Sequence, residues 1–276
     1  MNNLFERDLK NGNKYKDTTT IEREIKLARN IQMKLLNSNE PDIKNGSLSG
    51  ISIPAHLIGG DYYDFYKLSN GKLRIIIGDV MGKGIPAAML MILTRGAFRS
   101  TAGNTEDPAE TLQAMNKAVY EDLRTLGSFV TVMCADWDPE SNELTYASAG
   151  HSLPIICQQH SILREIPDRK GVMLGGLPKT EFHNNRITLS DHDLVLFYTD
   201  GITEAKNTEG NMYRQNRLEK ILIEHERCDV CEVESAIIES VSSFTGGATQ
   251  RDDITMVLLK VLKNEDVESS VFTSKE

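Results

Sequence analysis

The sequence predicts an α+β domain built in layers, with helices in pairs covering sheets of antiparallel strands. Strand-like runs rich in β-branched residues follow one another at short intervals from Ser128 to Tyr198, each ended by Gly, Pro, Asn or Asp. Helical segments come two at a time, first Ala87–Thr101 with a helix opened by Asp107-Pro108, then 215–225 with 230–244. This is not the strict strand–helix alternation of a doubly wound sheet. A third observation fixes local geometry: Asn70-Gly71, a two-residue hairpin signal, separates the strand Asp61–Leu68 from the strand Leu73–Val80. Such a hairpin is antiparallel, so Asp61 and Asp79, near its two outer ends, return to one rim.

Taken in order, residues 1–18 are polar and mixed in charge and read as a flexible leader, too short for a sensor domain. Ile21, Ile25, Ala28, Ile31 and Leu35 then recur every three or four residues, which predicts an amphipathic helix capped by Thr19 or Thr20. This helix, residues 19–38, has two readings. Its stripe packs on its own domain, or, being narrow and near heptad spacing, it pairs with a second chain. Residues 39–263 form the main domain, opening with strands at 50–56 and 61–68. Pro86 suits the first turn of a buried helix, and Leu112, Met115, Val119 and Leu123 mark one face of its successor. Strands are expected at 128–137 and 143–148, then at 155–158, 162–166, 186–189 and 193–198. Ile254–Leu262 is the last strand, and 264–276 reads as a disordered tail.

Composition narrows the function. The 276 residues can bury a substantial core, and 31 basic against 40 acidic side chains give a net charge of −9, which disfavours nucleic acid and anionic lipid as partners. No apolar run is long enough to span a membrane and the N-terminus lacks a signal-peptide core, so a cytoplasmic protein is expected. Cys134, Cys157, Cys228 and Cys231 are too scattered for a disulfide framework. Cys228 and Cys231 have CxxC spacing but no second pair to complete a zinc site, and read as helix-end cysteines.

The chemistry lies in aspartates at strand ends. Asp61 and Asp79 flank the hairpin, Leu194–Tyr198 runs into Asp200-Gly201, and Arg251-Asp252-Asp253 leads into the last strand. Any one Asp-Gly pair is ordinarily just a turn, but four such carboxylates call for more. Grouped carboxylates raise one another's pKa unless a cation neutralises them, and oxygen donors without His or thiolate favour Mg²⁺ or Mn²⁺ over zinc. A P-loop is excluded, because Gly78 and Gly82 are too close and Gly84 stands where Ser or Thr must bind Mg²⁺.

Gly59-Gly60-Asp61-Tyr62-Tyr63-Asp64, Gly78-Asp79-Val80-Met81-Gly82-Lys83-Gly84, Ala149-Gly150-His151, Tyr198-Thr199-Asp200-Gly201 and Arg251-Asp252-Asp253-Ile254-Thr255 occur in the order found in bacterial SpoIIE/RsbU-type phosphatases. The resemblance spans about Ile21 to Leu262 and places the chain with the PPM class of metal-dependent protein serine/threonine phosphatases. It implies an αββα sandwich, two antiparallel sheets flanked by helices, with a binuclear Mn²⁺ or Mg²⁺ site at one edge. Asp79, Asp61, Asp200 and Asp252 would be the catalytic carboxylates. Asp79 would bridge the metals, with Asp61 and the Val80 carbonyl on one, and Asp200 and Asp252 on the other. Asp253 is a further metal candidate, while it and Asp64 also suit supporting roles. Two cations roughly 4 Å apart make hydroxide available near neutral pH and neutralise phosphoryl oxygens. Met81 stands where eukaryotic type-2C relatives carry a histidine, which leaves water as the first candidate to protonate the leaving group. Those relatives' phosphate-binding arginine has no counterpart, and Lys83 reads as a solvated loop lysine. His151 reads as a loop-shaping residue.

By the same resemblance the substrate is a phosphorylated STAS-domain anti-anti-sigma factor, acting in a partner-switching pathway that frees a sigma factor. Input is expected through a separate activator protein or through a homodimer formed by the 19–38 helix. The rival reading is a non-catalytic phosphoprotein-binding regulator on the same fold, which the full set of carboxylates argues against.

Overall fold

The computed structural model describes residues 18–36 and 40–262; the expected leader as far as residue 17 and the expected tail lie outside the described residues. In chain order the elements are α1 (Thr18–Leu36), β1 (Gly46–Ile53), β2 (Tyr62–Lys67), β3 (Leu73–Val80), α2 (Ile85–Thr101), α3 (Pro108–Thr125), β4 (Val130–Asp138) and β5 (Glu143–Ala149). There follow β6 (Ile155–Gln158), β7 (Ser161–Ile162), β8 (Lys170–Gly171), β9 (Asn185–Thr188), β10 (Leu194–Tyr198), α4 (Asp200–Thr203), α5 (Gln215–Glu224), α6 (Val230–Thr245) and β11 (Ile254–Val261).

The strands form two sheets, one ordered β1-β11-β10-β6-β7 and the other β2-β3-β4-β5-β8, with β9 also paired to β5. Pairing is antiparallel except for the two-residue contact of β5 with β8. Helices α2 and α3 cover the second sheet, and α5 and α6 cover the first. The expected αββα sandwich is therefore what the chain forms.

The sandwich explains why Leu73–Val80 is apolar without alternation. Ile76 points into the layer beneath α2 and α3, with Phe98, Leu112 and Met115. Its neighbours Ile75 and Ile77 point the other way, into the space between the sheets with Trp137, Phe197 and Val257. β11 does the same in the other sheet: Val257 and Leu259 face the inter-sheet core, and Met256 and Leu258 face α5 and α6. A central strand in a four-layer stack has no wet face, so each of its large apolar side chains is buried on one side or the other, worth roughly 1.5–3 kcal/mol. Arg74 is a fully buried charge on β3, where its guanidinium makes two 2.7 Å bonds to Asp136 and others to Thr105 and Thr111. It ties the α2–α3 connection to the sheet.

Several boundaries differ from the sequence reading. β1 is shifted to Gly46–Ile53 because it pairs with β11 through eight positions, Gly46↔Val261 to Ile53↔Ile254, and Pro54 then ends the ladder. The strand expected at 162–166 shortens to Ser161–Ile162, and the single helical turn Asp200–Thr203 has too few residues to show periodicity. Cys228 and Cys231 flank a helix start, where Asp229 and Glu232 form a reciprocal capping box for α6, and all four cysteines are free thiols.

Helix α1 departs most. Its buried residues are Gln32 and Leu36, whereas Ile21, Leu27 and Ile31 are 46%, 57% and 61% exposed. The stripe read from spacing is therefore largely not the face that packs on the domain.

Candidate metal centre

The four aspartates arrive at one edge from both sheets. In the hairpin, Tyr62 pairs with Gly78, which sets Asp61 opposite Asp79 just beyond the last ladder pair. In the other sheet β10 and β11 are neighbours paired as far as Tyr198↔Met256, so Asp200 after one and Asp252 before the other emerge at the same end. Their mutual influence is electrostatic. Burial and then the charges of Asp200 and Asp252 push the Asp79 carboxyl up to about 7, partly offset by a hydrogen bond with Asp61. Burial and then Asp79 raise Asp61 well above the usual carboxylate range. Asp200 is raised by burial, then by Glu204 and Asp252, against the pull of Lys83.

This donor set suits a hard divalent cation. All its side-chain donors are carboxylate oxygens, and the Val80 carbonyl lies so near Gly60 that a Cβ there would come within 3.2 Å of it. The self-repulsion of the four carboxylates is what bound cations would relieve. Among the described residues no three His, Cys, Asp or Glu side chains close into a compact coordination shell. Asp252 turns instead to Lys83, whose ammonium lies 2.7 Å away and also donates to the Arg251 carbonyl. Lys83 is thus an exposed loop lysine, as the sequence suggests, that also pairs with Asp252 at the site.

Neighbouring side chains hold this arrangement. The Thr199 hydroxyl donates to Asp61 Oδ2 at 2.7 Å and accepts the Thr255 N–H at 3.1 Å, joining the last strand to the hairpin aspartate. His151 is buried: its Nδ1 lies 3.0 Å from the Thr131 hydroxyl and its Nε2 lies 3.2 Å from the Tyr198 carbonyl. Thr131 is the cross-strand partner of Asp79, and Tyr198 precedes Thr199-Asp200, so His151 links the two sheets at the edge that carries the aspartates. The loop-shaping role expected for it takes this specific form.

Asp253, a metal candidate by sequence, has both oxygens engaged by backbone. Oδ1 accepts the Ala55 N–H, and Oδ2 accepts those of Gly60 at 2.7 Å and Asp61 at 3.4 Å. A Cβ on Gly59 would overlap this carboxylate, and one on Gly201 would overlap the Asp253 carbonyl, which is why glycine stands at both positions. Asp64 is turned away, fully buried against Arg95 at 3.0 Å and Arg99 at 2.6 Å, and anchors α2 to β2. Thr199, Thr131 and Gln32 escaped the sequence reading. Thr199 alone left a trace, as the hydroxyl residue immediately before Asp200-Gly201.

Beside Asp252 and Gly201 lies an open cavity of about 460 Å³. Ile238, Val241 and Ile254 form its apolar side, and Ser242 and Gln250 lie among its polar residues.

A sandwich of two antiparallel sheets between helix pairs, with aspartates from both sheets at one edge, is the arrangement that the resemblance to PPM-class phosphatases implies. The model of the Stage II sporulation protein E (SpoIIE) family matches residues 69–262. Phosphoserine phosphatase RsbU of Bacillus subtilis is 30% identical over 240 residues, covering 87% of this chain and 70% of that protein. Among solved structures, the SiaA-PP2C domain of Pseudomonas aeruginosa superposes with a TM-score of 0.75 at 21% identity, covering 90% of this chain and 99% of that one. RsbX in complex with magnesium superposes with a TM-score of 0.57 at 17% identity, covering 80% and 98%. The chain belongs to the SpoIIE family.

Proposed function

We propose that the chain is a metal-dependent phosphatase that removes phosphate from a serine or threonine of a STAS-domain anti-anti-sigma factor in a bacterial partner-switching pathway. The observation that carries the metal dependence is the convergence of Asp61 and Asp79 from one sheet with Asp200 and Asp252 from the other at one edge, where burial and mutual charge raise the Asp79 carboxyl. RsbX, a structural neighbour, was solved with magnesium, which supports Mg²⁺ or Mn²⁺ as the cation. Asp79 would be shared by two cations, with Asp61 and the Val80 carbonyl on one and Asp200 and Asp252 on the other. Asp253 keeps the Gly60-Asp61 backbone in place at the same edge. Bound there, the cations supply a water of lowered pKa and neutralise phosphoryl oxygens.

The chain's own residues do the rest. Thr199 orients Asp61, and Lys83 brings a positive charge to the edge where an anionic phosphoryl group would arrive. The cavity beside Asp252 has room for the polypeptide flanking the phosphorylated residue.

The exposed Ile21, Leu27 and Ile31 of α1 support a homodimer through this helix, with a separate activator protein acting on it. Among the described residues no helix is long and apolar enough to cross a membrane, which agrees with a cytoplasmic setting. The test is a panel of phosphorylated STAS proteins incubated with the purified chain and Mn²⁺. Phosphate release from at least one panel member, abolished by Asp79→Asn, is expected. If none loses phosphate, the substrate assignment fails, and saturable binding without turnover would favour the non-catalytic regulator.

A further inference from the structure

Among the described residues, helix α1 is hydrogen-bonded to the segment leading into Asp61 through Gln32. Gln32 is 3% exposed, and its amide makes two bonds to one backbone residue: Nε2 donates to the Gly59 carbonyl at 2.7 Å, and Oε1 accepts the Gly59 N–H at 3.1 Å. A carboxamide is the one side-chain group of this length that offers both a donor and an acceptor to a peptide unit. Gly59 is also pressed against Asp253, whose Oδ2 takes the next two N–H groups, those of Gly60 and Asp61. The segment Gly59-Gly60-Asp61 is thus held from two sides, by α1 and by the start of β11.

We infer that Gln32 is a positioning residue for the metal centre: its two bonds to Gly59 set where Asp61 stands, so seating of α1 and metal affinity on the Asp61 side are coupled. The inference rests on the four-aspartate metal centre proposed above and adds to it the residue through which α1 acts. Three features favour coupling over simple helix anchorage. Gln32 contacts the backbone two residues from Asp61, with glycines at Gly59 and Gly60 that add no side-chain packing of their own. Leu36, on the same face one turn later, already supplies apolar anchorage in the core beneath α2 and α3. The outer face of α1 leaves Leu27 and Ile31 exposed to anything that would move the helix.

The test is Mn²⁺ titration by calorimetry on the full chain, comparing wild type with Gln32→Ala and Gln32→Glu. Gln32→Glu keeps length and volume, and keeps the acceptor for the Gly59 N–H, but sets an oxygen against the Gly59 carbonyl. Partners that orient metal ligands typically matter about 10–100-fold in affinity, and a loss of that size in one of two Mn²⁺ binding events is expected. The other event should keep its affinity, and kcat should recover at saturating Mn²⁺. Lys26→Ala, an exposed α1 side chain with no part in the proposed dimer face, should bind like wild type. Circular dichroism and melting with chelator present confirm that each variant is folded. Folded Gln32 variants that bind both ions as tightly as wild type would overturn the inference. So would equal weakening of both events, or weakening no greater than Lys26→Ala produces. A wild-type chain that binds no Mn²⁺ would instead refute the metal centre itself.

Discussion

Replacing Asp79 by asparagine should stabilise the protein in the presence of chelator and destabilise it, relative to wild type, in the presence of Mn²⁺. The carboxyl is raised from 3.8 to about 7 in the folded chain. The sign follows from linkage: the folded state holds this proton more tightly than the unfolded state, so without cations the group's contribution is most favourable below about pH 4 and is lost as pH rises through about 7. At about 1.4 kcal/mol per tenfold change, the ceiling on that loss is roughly 4 kcal/mol. Solvent screening at the open edge, and the weaker bond an amide makes to Asp61, reduce the expected gain of Asp79→Asn to about 1–2 kcal/mol. For a chain of this size that is roughly 3–6 °C in melting temperature. The difference between variant and wild type should grow from near zero at about pH 4 to a plateau above about pH 7. With Mn²⁺ at about 100 times its dissociation constant, wild type should gain roughly 2.7 kcal/mol and overtake the variant, which should gain little. Differential scanning fluorimetry across pH, with EDTA and with Mn²⁺, reads both arms. An Asp79→Asn protein less stable than wild type in EDTA at alkaline pH would refute the electrostatic reasoning.

Three other perturbations have expected outcomes. Thr199→Val keeps volume but removes the hydroxyl that donates to Asp61 Oδ2 and accepts the buried Thr255 N–H; Mn²⁺ affinity by calorimetry should fall about 10–100-fold, and urea unfolding should show a loss of about 1–3 kcal/mol. Asp64→Asn strips the buried carboxylate from Arg95 and Arg99 and should cost about 3 kcal/mol in urea unfolding, since it leaves partly buried charge unpaired. Ser242→Trp fills the cavity beside Asp252; KM for a phosphoprotein should rise about tenfold or more, while turnover of p-nitrophenyl phosphate, too small to need the cavity, should stay unchanged.

The hairpin was the most legible part of the chain. Asn70-Gly71 marks the turn correctly, but the ladder closes at Lys67↔Leu73 and the Leu68 N–H donates to the Lys72 carbonyl, so the loop is longer than the two residues expected; a two-residue turn would set Asp61 opposite Val80, and the observed register sets it opposite Asp79. The meeting of this pair with Asp200 and Asp252 was legible only through the order of several motifs, because it depends on which strands become neighbours in the other sheet. Thr199, His151 and Gln32 show the limit more sharply. Each acts through backbone or carboxylate groups remote in sequence, as in the bonds of Thr199 to Asp61 and Gln32 to Gly59, and no spacing rule reaches across such gaps. α1 was misread in a different way. Periodicity found its apolar stripe correctly but could not say that a glutamine and a leucine beside that stripe make the contact with the domain.

The central claim is that Asp61, Asp79, Asp200 and Asp252 together hold two catalytic cations. Crystals of the chain grown with Mn²⁺ and measured at the manganese absorption edge test it most directly. Two anomalous peaks flanking Asp79 are expected, one toward Asp61 and the Val80 carbonyl and one toward Asp200 and Asp252, both missing from Asp79→Asn crystals. No peak at this edge, or a single peak away from Asp79, in a protein that still releases phosphate from phosphoserine would contradict it.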